Sequence, residues 1–187
     1  MSPIFQPDFT TVSASFPIWE KARYRVKVTK KVPFVREAKD DETGKVTIQC
    51  GVRYHLEMAG VYDSQGELQE TQDGSSIVGK PVSNYACYVH TADGWQFAKP
   101  FLMAASGYNV KNEEDLANKE LFAANEWGIT GEPGDDAEKI EAGKGWDKPV
   151  GRYVDVTLSK KVTKSKKDGK EYENQDYSGW TPLGDRE

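Results

Sequence analysis

Residues 45–57, KVTIQCGVRYHLE, constrain this chain more than any other stretch. Val46, Ile48, Cys50, Val52, Tyr54 and Leu56 share one parity, and Thr47, Gln49, Gly51, Arg53 and His55 share the other. Successive side chains of a strand point to opposite faces, so the segment reads as a long strand with one face in a core. A helix would scatter the same residues around its circumference. Gly51, in the polar parity, marks a bend, a bulge or a close backbone approach. The segment RYRVKVTKK, residues 23–31, repeats the pattern: Tyr24, Val26 and Val28 alternate with Arg23, Arg25 and Lys27, so its wet face is cationic. Pro33 ends the regular run, and DDETG at 40–44 is a turn.

The remaining chain is read by the same rules. Residues 60–84 hold turn signals at Asp63–Gly66 and Asp73–Gly74 and read as an irregular connection. NYACYVHT, residues 84–91, is a short strand. Pro100 speaks against a long helix in WQFAKPFLMAA. The clearest helix starts near Asn112 and runs to Gly128, with Asn112 as cap, three acids in its first turn and Leu116, Leu121 and Phe122 on one stripe. Residues 131–147, GEPGDDAEKIEAGKGWD, read as an exposed acidic loop that folding can do without. GRYVDVTLSKKV, around Val154, Val156 and Leu158, and KEYENQDYSGWTPL form a closing hairpin about a lysine-rich turn. Val46, Ile48, Val52, Val154, Val156 and Leu158 are expected in one core.

Three strands, a helix and a hairpin is the element order of an OB-fold, so the fold expected is mainly β: a five-stranded barrel with one helix between strands three and four and long acidic, Gly-rich insertions. Residues 1–20 form an N-terminal extension, 21–183 the single domain with the irregular insertion 60–84 and the acidic loop 131–147, and 184–187 a short tail. In an OB-fold, ligands cross strands two and three between the loop joining strands one and two and the loop joining strands four and five. Here those loops are 33–45 and 160–170. The net charge of −5 hides a segregation that suits this placement. Residues 21–56 carry ten bases and four acids, 113–147 three bases and eleven acids, and 148–170 eight bases and two acids. Both basic blocks fall at the groove's flanks.

YRVKVTKK, TGKVTIQCGVRYHLEM, an acidic Asn-containing helix and GRYVDVTLSKKV…KKDGKEYENQDYSGWTPL together resemble small phage-encoded OB-fold proteins. Many of those bind single-stranded DNA, and others are encoded near replication and recombination genes. The resemblance covers mainly 21–58 and 148–183, and its most telling piece is the final hairpin. It implies a protein acting in the cytoplasm of a bacterial host. The absence of a basic region and an apolar stretch in MSPIFQPDFTTVSASF, and of any apolar run near the ~20 residues of a membrane helix, is consistent with that. GDRE, the C-terminal tetrapeptide, is a faint version of the acidic tail with which many such proteins recruit partners.

Signatures of catalysis are missing: there is no GK[ST] phosphate loop, HExxH, CxxC or GxSxG. His55 and His90 lie on separate strands, Cys50 and Cys87 fall in apolar parities, and Glu132, Asp135, Asp136 and Glu138 lie in a Gly/Pro loop that cannot fix a metal. Neither an enzyme nor a cofactor or metal is therefore expected. Five Trp and nine Tyr exceed what a core of this size needs. Flat rings for stacking, together with cations for phosphates, are what sequence-independent binding of single strands requires. The expected interface is Arg23, Arg25, Lys27 and Arg53 in the groove, Lys160, Lys161, Lys164, Lys166 and Lys167 on the hairpin turn, and Tyr153, Tyr172 and Trp180 as stacking faces, with Tyr88 a further candidate ring. Single-stranded DNA is the expected partner, with replication or recombination proteins beside it, no membrane, and a homo-oligomer left open. Two other functions fit the same features: a phage structural or adaptor protein, and an inhibitor that uses the acidic block 113–147 to mimic nucleic acid.

Overall fold

The computed structural model describes residues 16–40, 43–123, 125–165 and 169–183. The protein is mainly β. In chain order the elements are β1 (Ala22–Lys39), β2 (Val46–Tyr62), β3 (Leu68–Gln69), β4 (Thr71–Gln72), β5 (Ser75–Ser76), β6 (Pro81–Tyr88), α1 (Ala92–Ala105), α2 (Glu114–Glu120), β7 (Ile129–Thr130), β8 (Glu141–Ala142), a 3-10 turn (Lys144–Asp147), β9 (Tyr153–Lys164) and β10 (Glu171–Pro182). The main sheet runs β10-β9-β1-β2-β3, and β6 adds to β2. All of its pairs are antiparallel.

β1 is the spine. Its first residues, Ala22–Lys27, lie against β9 from Leu158 to Tyr153. Its whole length pairs with β2, from Tyr24 opposite Val61 to Lys39 opposite Val46. Register shifts at Arg25/Val26 and Val28/Lys30 are bulges, which let so long a strand bend around a core. The alternation read from the sequence holds in the middle of both strands: Tyr24, Val26, Val28, Val52, Tyr54, Leu56 and Met58 are buried, as are Val154, Val156 and Leu158 on β9. It fails at the far end. Val46 is 50% exposed and Ile48 49%, because there β1 and β2 run on as a two-stranded arm beyond β9 and β6. The expectation that these two residues join the core is therefore corrected. β9 and β10 form a second arm, Lys160–Lys164 with Glu171–Gln175, beyond the start of β1.

The sheet does not close into the expected barrel. Closure needs a ladder between β6 and β10, and among the described residues none forms. Large rings occupy that seam instead: Tyr85 lies 5.2 Å from Tyr177 and 4.9 Å from Trp180, and the Tyr177 hydroxyl bonds to the Ser83 carbonyl. Paired backbones run about 4.8 Å apart, so intervening rings preclude the ladder. A register shift in β10 between Ser178 and Thr181 breaks its regular edge at the same level.

The helices also differ from expectation. The longest is α1, with Pro100 inside it. Proline costs an interior helix on the order of 3 kcal/mol. Against that, α1 buries Phe101, Leu102 and Met103 almost completely, each contributing roughly 1.5–3 kcal/mol. Thr91 caps it, accepting from Gly94 N at 3.1 Å. Among the described residues of 112–128 the helix is the seven-residue α2, with Glu113, not Asn112, at the N-cap position, no side-chain cap bond, and Leu116 37% exposed.

Residues 131–147 are not a free loop. Ile140 is buried and Trp146 fully so. Trp146 donates Nε1–H to the Trp127 carbonyl at 3.1 Å, and its own carbonyl accepts from the Tyr54 hydroxyl at 2.9 Å. Trp95 stacks on it at 5.9 Å. Gly145 is needed for close approach: a Cβ there would sit 2.6 Å from the Trp127 ring. The acidic segment thus supplies part of the core, which corrects its reading as dispensable. At the chain's start, Trp19 of the N-terminal extension is buried too; its backbone N–H and carbonyl both bond to the Gln175 amide.

Candidate functional site

The outer face of the sheet, opposite the core, carries most of the residues singled out from sequence. At its β9 side, Arg23 and Arg25 converge on Asp155, which is only 5% exposed. Arg25 Nε donates to Asp155 Oδ1 at 3.0 Å, and Arg23 Nη2 lies 3.6 Å from Oδ2. The Tyr62 hydroxyl donates to Oδ2 at 2.6 Å, and both guanidiniums lie over the Tyr62 ring at 5.6 Å. Burial, then the bond to Asp155, pushes the Tyr62 phenol above its ordinary value. These arginines are engaged within the protein.

Further along β1, Lys27 lies 5.6 Å over the ring of Tyr153, which is 44% exposed. Arg53 is half-buried on β2, opposite Val32 of β1 and Ala86 of β6. On the β9–β10 arm, Lys160 pairs with Glu173 at 2.5 Å, Lys161 and Lys164 are exposed, and Tyr172 is 49% exposed. Lys166 and Lys167 lie outside the described residues. Trp180 is corrected: it is 6% exposed, stacked on Tyr177 at 5.7 Å and packed against Phe101 at 4.9 Å, and so offers no free face to a base.

The two arms leave opposite ends of β1, so the hairpin lysines Lys160, Lys161 and Lys164 stand apart from Arg36 and Arg53. From Ala22 to Pro33 is eleven strand residues, roughly 36 Å if straight.

A second cluster stands where the β1–β2 arm joins the sheet. Phe34 pairs with Gly51, and Gly51 pairs with Tyr88, in one row across three strands. With no side chain at the middle position, the flanking rings meet edge to face, 5.4 Å apart. A Cβ on Gly51 would come within 2.9 Å of the Phe34 ring and 2.2 Å of the Cys87 carbonyl. The close approach expected at Gly51 thus creates an aromatic pair. Arg36 lies over Phe34 at 5.7 Å and Tyr88 at 5.6 Å, and Arg53 over Phe34 at 5.4 Å. Gln49 accepts from Arg36 Nε and Nη2 at 3.1 and 2.9 Å, and the Tyr88 hydroxyl accepts from Nη2 at 3.0 Å. His90 packs on Tyr88 at 5.9 Å. His55, between Lys30 and Arg53, has its pKa lowered by burial and then by those two cations. Among the described residues, no carboxylate lies within ion-pair distance of Lys27, Lys30, Arg36 or Arg53.

Of this cluster the sequence analysis named Arg53 and Tyr88 but not Phe34, Arg36 or Gln49. Pro33 hid them by signalling the end of a strand. β1 continues through Pro33 because β9 stops at Lys27, leaving an edge that asks for no backbone donor. The signal available was VPFVRE itself, with Val35 alternating against Phe34 and Arg36.

No helix among the described residues is long and apolar enough to cross a membrane. Comparison with protein-family models, curated proteins and solved structures finds no match to this chain.

Proposed function

We propose that the β1–β2–β6 outer face binds single-stranded DNA without sequence preference, and that the sheet is an OB-like, partly open barrel with its helices between the third and fourth long strands. One observation carries the reading: Arg36 and Arg53 lie on the Phe34–Tyr88 pair with no carboxylate to satisfy them. A base can stack on any exposed ring face whatever its identity, while guanidiniums meet phosphates. Lys27 and Lys30 extend the positive row along β1. The OB-like reading is supported by the pairings of β1 with both β2 and β9, of β2 with β6 and of β9 with β10. The β6–β10 seam, bridged by side chains, stands where the last ladder would be. A role in phage replication or recombination, with partners from those systems, follows from the sequence resemblance alone.

The test is anisotropy of labelled oligo-dT, oligo-dC and a duplex of equal length at about 50 and 200 mM salt. If Lys27, Lys30, Arg36 and Arg53 each meet a phosphate, single-strand affinity falls about 50-fold over that range. Oligo-dT and oligo-dC bind alike, and the duplex binds more weakly. Equal or tighter duplex binding, or none to single strands at low salt, refutes the reading.

A further inference from the structure

A cleft of about 530 Å³ opens between α1, the loop 109–111 and β10, where the β6–β10 seam is not zipped. Its size is that of a small-molecule site. The seam is held at one end by Trp19 on Gln175 and in the middle by Ser83 on Tyr177; the cleft lies beyond, along Ser178–Thr181. Four rings line it, Tyr85, Tyr177, Trp180 and Phe97, among polar side chains that include Gln96, Asn109 and Thr181. Phe97 is 74% exposed, the most exposed of the large hydrophobic residues described. Two cations, Arg23 and Lys111, line the cleft, and no carboxylate does. Asp155 engages Arg23, so Lys111 is the rim cation left without an acid. Lys111 has no ion pair among the described residues.

We infer that this cleft is a binding site for a planar aromatic anion, separate from the face that carries Phe34 and Arg36. Ring walls favour an aromatic guest by offset and edge-to-face contact. Positive charge on the rim with no compensating acid selects an anionic one. Neither argument uses the residues of the proposed DNA face, so the two readings stand or fall apart.

The probe is 1-naphthoate, titrated into the full chain by calorimetry with tryptophan fluorescence alongside, and neutral 1-naphthamide as its control. Saturable one-to-one binding of naphthoate is expected, with naphthamide weaker by about threefold or more. Phe97→Ala should weaken naphthoate about three- to tenfold, the worth of one aromatic contact. Lys111→Gln should weaken naphthoate and leave naphthamide unchanged. Both side chains are exposed, so the variants should melt as wild type does. Saturating oligo-dT should leave naphthoate affinity unaltered. The assignment is overturned by absence of saturable binding, by equal affinity for naphthamide, by binding indifferent to both substitutions, or by displacement with oligo-dT, which would make the cleft part of a strand's path.

Discussion

At one end of the outer face two arginines converge on an aromatic ring and a buried carboxylate; at the other, two arginines converge on aromatic rings with the neutral Gln49 as the only other side chain bonded to them among the described residues. Arg23, Arg25, Tyr62 and Asp155 form a closed set, in which charge and hydrogen-bonding capacity are largely met inside the protein. Arg36, Arg53, Phe34 and Tyr88 use the same residue types without the acid. The first arrangement pins β1 to β9 and to the end of β2. The second leaves cationic, flat surface facing solvent. What separates the structural cluster from the proposed binding surface is the single residue Asp155.

Removing that residue gives the largest effect expected. Asp155→Ala strands Arg23 and Arg25, and since both keep partial access to water the cost should be about 2–3 kcal/mol, below that of a fully buried pair. Urea denaturation measures it. Arg36→Gln with Arg53→Gln, by contrast, should move stability by no more than about 0.5 kcal/mol. Equal losses in the two variants would erase the distinction.

The same contrast shows what could be read from the chain. Alternation located β1, β2 and β9 and the central core residues Val52, Val154, Val156 and Leu158, because burial on one face imposes period two locally. It could not show that Val46 and Ile48 lie beyond the layer that covers the core, since that depends on where β6 and β9 stop. Trp146 was hidden among glycines and acids because its partners, Trp95, Trp127 and Tyr54, lie between nineteen and ninety-two residues away. Charge counting could not separate Arg23 and Arg25 from Arg53, because their carboxylate lies on β9, some 130 residues on. The open seam was equally illegible: Trp180 read as a stacking face for bases, and its convergence with Tyr85 and Tyr177 depends on strands far apart in the chain.

On the binding side, Phe34→Ala removes the ring beneath both guanidiniums that lack an acid. It should weaken oligo-dT by about 1–2 kcal/mol, some five- to thirtyfold, read by anisotropy. Tyr62→Phe, which touches only the closed cluster, should leave affinity within twofold or so. A larger loss from Tyr62→Phe would mean that the closed cluster also meets the strand.

The lysine arm sharpens the comparison by length. Lys161→Gln with Lys164→Gln should leave binding of a short oligo-dT, confined to the Phe34 end, unaffected. With an oligomer long enough to reach the β9–β10 arm, the same variant should flatten the slope of log affinity on log salt by about 1.4. A flattened slope on the short oligomer would place the arm inside the primary site.

The smallest effect concerns His55. Burial, then Lys30 and Arg53, hold its pKa below the ordinary value, so it is neutral at pH 7. As pH falls it gains charge beside the proposed phosphate path, and oligo-dT affinity should rise modestly; His55→Gln should reduce that rise. The sign for stability is opposite. The unfolded chain takes up this proton first, so the stabilisation is complete above the unfolded-state pKa near 6.5 and is lost as pH falls through the lower folded value. Affinity that falls on acidification would contradict the placement of His55 beside the strand.

The central claim is that the arginines without an acid, and not those with one, meet phosphate. The direct measurement is the salt dependence of oligo-dT anisotropy for wild type and for the Arg36→Gln, Arg53→Gln variant. Two lost phosphate contacts should flatten the slope by about 1.4, with the same loss for oligo-dC. An unchanged slope in that variant, or no wild-type binding at low salt, would contradict the account.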